Sequence, residues 1–172
     1  MNKAAFWKLI DASRENALGD LDEQVANLRA RVEQLDPDEI IQFAKLFDEY
    51  WGRAYTWDLW AAAYILGGGC SDDGFLDFRG WLISRGERVY EEALRDPETL
   101  AQVVNADEGE ECKYEGFQYV AREAWERSTR NRLGDFPAAE LMQPDEPAGE
   151  SWSEEGHDLE RRFPKLWRKF AA

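Results

Sequence analysis

The chain has 172 residues, with 36 acidic and 21 basic side chains, a formal net charge of −15, 44% hydrophobic and 13% aromatic residues. That is enough apolar material for one domain with a proper core, and too much for a disordered chain. The negative balance argues against nonspecific binding of nucleic-acid phosphates, and no apolar run approaches the roughly eighteen residues of a membrane helix.

The charge is unevenly spread. Residues 161–172 carry five positive charges and no negative one, so the preceding 160 residues hold 16 basic and 36 acidic side chains, a balance of −20. An acidic body of this kind serves solubility or complements a basic partner. Cys70 and Cys112 form no C-x-x-C pair and fit free thiols in a reducing compartment. The N-terminus, MNKAAFWKLIDASREN, is charged within its apolar run and reads as a helix, not a signal peptide. A cytoplasmic location is expected.

In chain order, residues 3–16 suit an amphipathic helix with Phe6, Trp7, Leu9 and Ile10 inward, closed by Gly19. Asp20 caps a second helix on which Leu21, Val25, Leu28, Val32 and Leu35 step by four and three. Asp36, Pro37 and Glu39 make a strong helix start, and the apolar run from Ile40 to Trp51 covers more than half the circumference, as in a central helix. Gly52 allows a bend or break.

Residues 57–86, WDLWAAAYILGGGCSDDGFLDFRGWLISRG, read as helix, tight polar loop, helix. Thr56 is the N-cap; Trp57, Trp60, Ala61, Tyr64 and Ile65 recur at the spacing of a buried face. Gly67 to Gly69 stop the helix, and Ser71 caps the next, with Asp72 and Asp73 in its first turn where the helix dipole favours negative charge. Phe75, Phe78, Trp81 and Leu82 make the second stripe. So short a loop predicts an antiparallel hairpin.

Beyond Gly86 the pattern gives a short helix with Val89, Tyr90 and Leu94 inward, then a second cap-plus-proline start at Asp96-Pro97. Residues 105–112, NADEGEEC, lack periodicity and read as loop. Phe117, Val120, Ala121, Ala124 and Trp125 mark another helix. Residues 132–151, with three prolines, read as irregular chain over the surface. Ser153 caps a last helix, and Pro164 opens a basic turn whose charges dock on the acidic body. Most of the eight tryptophans are expected in the core, with Trp152 and Trp167 either pinning the tail or forming a hot spot for a partner.

The expected fold is all-α: a single-domain irregular bundle of about seven to eight helices, with a helical hairpin at 56–86 in the core. Residues 1–131 form the helical core, and 132–172 an irregular segment plus a short helix packed on the same domain.

The segments W-D-L-W-A-A-A-Y at 57–64 and G-G-C-S-D-D-G-F-L-D-F-R-G-W-L-I-S-R-G at 68–86, with F-W-x-L-I-D-x-[AS] at 6–13, resemble a bacterial family known as domain of unknown function 4240. The resemblance runs from the N-terminus to about residue 130. It implies a stand-alone cytosolic domain and carries over no activity, cofactor or catalytic residue.

The candidate ligand or interaction site consists of Trp57, Asp58, Trp60, Cys70, Ser71, Asp72, Asp73, Asp77 and Arg79. Asp73 and Asp77, four apart, share a helix face, and with Asp58 they offer oxygens to a hard cation; the plainer reading is first-turn charges and an ion pair. Arg79, on a largely apolar helix, is expected to need a carboxylate, Asp58 or Asp77. With Trp57, Trp60 and Asp58 it alternatively lines a pocket for a small polar ligand. His157, the sole histidine, is expected at the surface, which makes a catalytic triad a poor fit. No cofactor, resident metal or catalytic residue is assigned. The leading expectation is an acidic protein-binding domain of immunity or antitoxin type, without catalysis, that takes a basic protein and neither nucleic acid nor membrane. The alternative is an enzyme or ligand binder around the glycine loop.

Overall fold

The computed structural model describes residues 1–131, 135–137, 144–154 and 157–171. Among them are nine α-helices: α1 Lys3–Arg14, α2 Leu21–Val32, α3 Pro37–Arg53, α4 Trp57–Leu66, α5 Asp72–Ser84, α6 Glu87–Arg95, α7 Val120–Thr129, α8 Asp158–Arg162 and α9 Pro164–Phe170. Three 3-10 turns, Pro97–Gln102, Gly109–Glu111 and Glu115–Tyr119, link α6 to α7. No strand is present among the described residues; one isolated parallel bridge joins Thr56 and Ala148. The architecture is all-α.

The helix starts follow from local chemistry. Asp20, Thr56 and Ser71 each accept a backbone N–H three residues on, from Glu23, Leu59 and Gly74, which satisfies donors the helix leaves open. Asp36 occupies the cap position of α3, but its side chain makes no cap bond. Gly52 does not end α3, which runs on to Arg53. The second proline start yields a 3-10 turn rather than an α-helix, with Asp96 accepting from Glu98 N.

The buried cluster runs from Phe6 on α1 to Leu166 on α9. Helix α3 is central, packing against α1, α5 and α7, with Ile40, Phe43, Phe47 and Tyr50 inward. Of the eight tryptophans, Trp7, Trp81 and Trp125 are buried outright; Trp51, Trp60, Trp152 and Trp167 are half-buried against the cluster, and Trp57 is half-buried beside Trp60 and Trp152.

Helices α4 and α5 are consecutive and buried, but they are less of a hairpin than the sequence implies. They meet near the loop, where Trp60 stacks on Phe75 at 5.0 Å. Away from it α4 packs on α9 and the turn Pro97–Gln102, and α5 on α3, α6 and the turn Glu115–Tyr119. The C-terminal end of α4 is also claimed by the acidic loop: a Cβ on Gly109 would lie 2.2 Å from the Leu66 carbonyl oxygen.

The C-terminal chain returns across α4. Ala148 bridges Tyr55 and Trp57 through two backbone hydrogen bonds, and Trp152 donates its Nε1–H to the Trp57 carbonyl at 3.0 Å. The helix expected to start at Ser153 is described from Asp158 onward as α8, with His157 in the cap position. What reads as a basic turn is helix α9. Much of the Pro-rich stretch expected to be irregular, 132–134 and 138–143, lies outside the described residues.

Candidate functional site

The nine candidate residues fall into three places, of which the first and third touch where Trp60 meets Cys70. The first is the exposed edge of α4. The rings of Trp57 and Trp60 are stacked at 5.4 Å, and Trp152 closes over them, edge-on to Trp57 at 6.3 Å and 5.0 Å from Tyr64. Tyr64 donates its hydroxyl to Glu154 at 3.2 Å. Asp58 is bound to Arg162 at 2.6 Å, and the same guanidinium donates to the Glu150 and Ser151 carbonyls. The chain's own C-terminal segment thus occupies this ridge.

Arg79 is the second place, away from Trp57 and Asp58. Its side chain is fully buried, with the guanidinium 3.5 Å from the Trp51 ring centre, 4.7 Å from Tyr55 and 5.2 Å from Phe75. It donates one hydrogen bond, to the Trp51 carbonyl at 3.2 Å, while Nε and the other Nη have no partner among the described residues. Burial pulls its pKa down to about 10. The expected carboxylate is missing: Asp58 is taken by Arg162, and Asp77 accepts from Gln118 at 3.0 Å. Aromatic faces stand in for the anion, an arrangement the flat guanidinium tolerates better than an ammonium. Among the described residues, a pocket shared by Trp57, Trp60, Asp58 and Arg79 does not form.

The third place is the glycine loop and the start of α5. The loop is held by Trp60, whose Nε1–H donates to the Cys70 carbonyl at 3.1 Å. Burial pushes the Cys70 thiol up to about 11 and that of Cys112 to about 12, which leaves both poor nucleophiles at neutral pH. The Ser71 hydroxyl is engaged as a cap. Asp72 and Asp73 are exposed. Asp77 is half-buried, and burial, with Glu115 and Asp73 adding to it, holds its carboxyl above the usual range; Gln118 and Lys113 pull the other way. No three His, Cys, Asp or Glu side chains converge as a metal site among the described residues. His157 is exposed, facing Glu160 at 2.8 Å.

What this third place does have is an excess of negative charge. Arg29, Arg53, Arg127 and Arg162 are committed to carboxylates of the chain itself. Among the described residues none of Asp72, Asp73, Asp77, Glu110 and Glu115 has an ion pair within 4.0 Å, and Lys113 is the one cation whose charge is felt at Asp77, so acid outweighs base at α5 and the turns behind it.

A cavity of about 220 Å³ lies elsewhere, between α3, α7 and the turn Glu115–Tyr119, with Asp48 and Arg122 in its wall. Sequence reasoning missed it. The available signal was an acid, Asp48, four residues after Ala44 and three before Trp51 on the flank of an apolar stripe.

Fold and surface together define an all-helical protein with a strongly acidic exterior. The chain belongs to the family described as Protein of unknown function (DUF4240), whose model matches residues 1–127. No curated protein and no solved structure matches it. No helix among the described residues is long and apolar enough to cross a membrane.

Proposed function

We propose that this chain is a non-catalytic binding module of the bacterial cytoplasm whose acidic face takes a basic protein. An immunity or antitoxin-like role is the narrower form of that reading. The observation that carries it is the unpaired acid at α5 and its neighbouring turns, on a molecule whose arginines are largely spent on internal contacts. Complementary potential of this kind steers a partner of opposite charge and speeds its capture. Nucleic acid and anionic membrane would meet repulsion from the same surface. The alternative, an enzyme built around the glycine loop, has less support, since its nominated residues are dispersed over three places and its thiols are held protonated.

A pull-down of the full chain from native cytosol tests the reading. The expected result is a basic protein retained at low salt, released at high salt, and lost when Asp73→Asn, Asp77→Asn and Glu115→Gln are combined. A chain recovered alone at both salt concentrations refutes it.

A further inference from the structure

We propose that the cavity between α3 and α7 binds a small zwitterion with an apolar body, a free apolar amino acid, with Asp48 taking its ammonium and Arg122 its carboxylate. Phe47, Trp51, Phe117 and Phe136 supply the walls, and Asp48 and Arg122 enter the same space from α3 and α7. The two charges feel each other but do not pair, since no nitrogen of Arg122 lies within 4.0 Å of an Asp48 oxygen. Asp48 has no hydrogen bond among the described residues, and Arg122 makes only a ring contact, 5.9 Å from Phe136.

A half-buried carboxylate without a donor is costly, and burial holds this one above the usual carboxylate range, with Arg122 pulling it part of the way back. Other carboxylates show the ordinary solution, as Glu49 pairs with Lys3 and Glu91 with Arg53. A ligand bearing one charge would answer one group and be repelled by the other. A zwitterion answers both. The aromatic walls favour an apolar side chain between them and add attraction for the ammonium. The size agrees: about 220 Å³ falls below the roughly 300 Å³ at which pockets for drug-sized ligands begin, so the space suits an amino acid better than a nucleotide. The site adjoins the acidic face at α5 through Gln118, which lines the cavity and donates to Asp77, but it uses none of the acids of that face.

The test is calorimetry and thermal shift on the full chain with L-leucine, L-phenylalanine, phenethylamine and 3-phenylpropionate, repeated on Asp48→Asn and Arg122→Gln. The expected result is binding and a raised melting temperature with at least one amino acid. The two single-charge probes should bind about tenfold or more weakly, and each variant should lose about tenfold, the scale of one charge-assisted hydrogen bond. Circular dichroism of the unliganded variants confirms that the fold is retained. The proposal is overturned if neither amino acid binds, if phenethylamine binds as tightly as phenylalanine, or if Asp48→Asn, still folded, binds undiminished. Its failure leaves the salt-dependent pull-down untouched.

Discussion

Arg79 is the residue at which the cost of burial and the gain from packing are most nearly opposed. A fully buried cation with two unpartnered nitrogens is expensive, yet its guanidinium fills the space between Trp51, Tyr55 and Phe75. Packing should therefore dominate the mutational response. Arg79→Ala is expected to cost about 2–4 kcal/mol through the void it leaves, and Arg79→Met far less, because no carboxylate is stranded by loss of the charge. Urea melts of the two variants check this; equal costs would locate the energy in the charge instead. Asp48 gives a pH signature. Its folded-state pKa is raised by burial above the ordinary value of 3.8, so the ionised form weighs against folding. That cost is present in full above the folded-state pKa, fades as pH falls through it, and is gone below about 3.8. Asp48→Asn should thus melt above the wild type at pH 7, with the gap closing as the solution is acidified toward pH 4. A gap that widens with acid would contradict the burial argument.

At the scale of elements, helix α9 owes its position to a residue far away in sequence. Pro164 stands at its first turn, and the orphan N–H groups of Lys165 and Leu166 donate to a single carboxylate oxygen of Glu98, at 2.6 and 3.2 Å. Glu98 is itself 8% exposed, and Lys169 clips the other end by donating to the Ala101 carbonyl at 2.8 Å. This is an N-cap supplied by another element. Glu98→Ala is expected to destabilise the chain by about 1–2 kcal/mol, with Glu98→Gln costing less because the amide oxygen still accepts. Hydrogen exchange at the α9 amides should report the loss first; unchanged protection there would show that packing alone holds the helix. The caps at Asp20, Thr56 and Ser71 were legible in the sequence because donor and acceptor lie three residues apart. The Glu98 cap was not, since nothing local marks a carboxylate as the partner of a helix 67 residues downstream.

At the scale of the whole molecule, the C-terminal chain and the acidic body are parts of one arrangement. Arg162, Lys165 and Lys169 all reach the body, at Asp58, Glu98 and Ala101. Leu159, Phe163 and Leu166 join the same buried cluster as α1 to α7. We therefore expect a single cooperative thermal transition for the full chain. A chain ending at residue 131 should melt lower and bind a hydrophobic dye at the uncovered face of α4; an unshifted melting temperature would make the C-terminal part an appendage. The same contacts explain why Trp57, Asp58 and Trp60 looked like a site from sequence: an aromatic ridge beside an acid invites a ligand, and here the chain's own segment takes that place.

The sequence by itself determined the all-α class, most helix boundaries, the buried stripes and the surplus of acid, because each rests on spacing within a few residues or on simple counts. It also carried the family, through the motifs at 6–13, 57–64 and 68–86. Only the tertiary structure decided that Arg79 sits among rings without a carboxylate, that α4 faces α9 more than α5, and that Asp48 and Arg122 share a cavity. Those outcomes depend on which elements meet across tens of residues. Side-chain periodicity states which face of a helix is buried and leaves open what it is buried against.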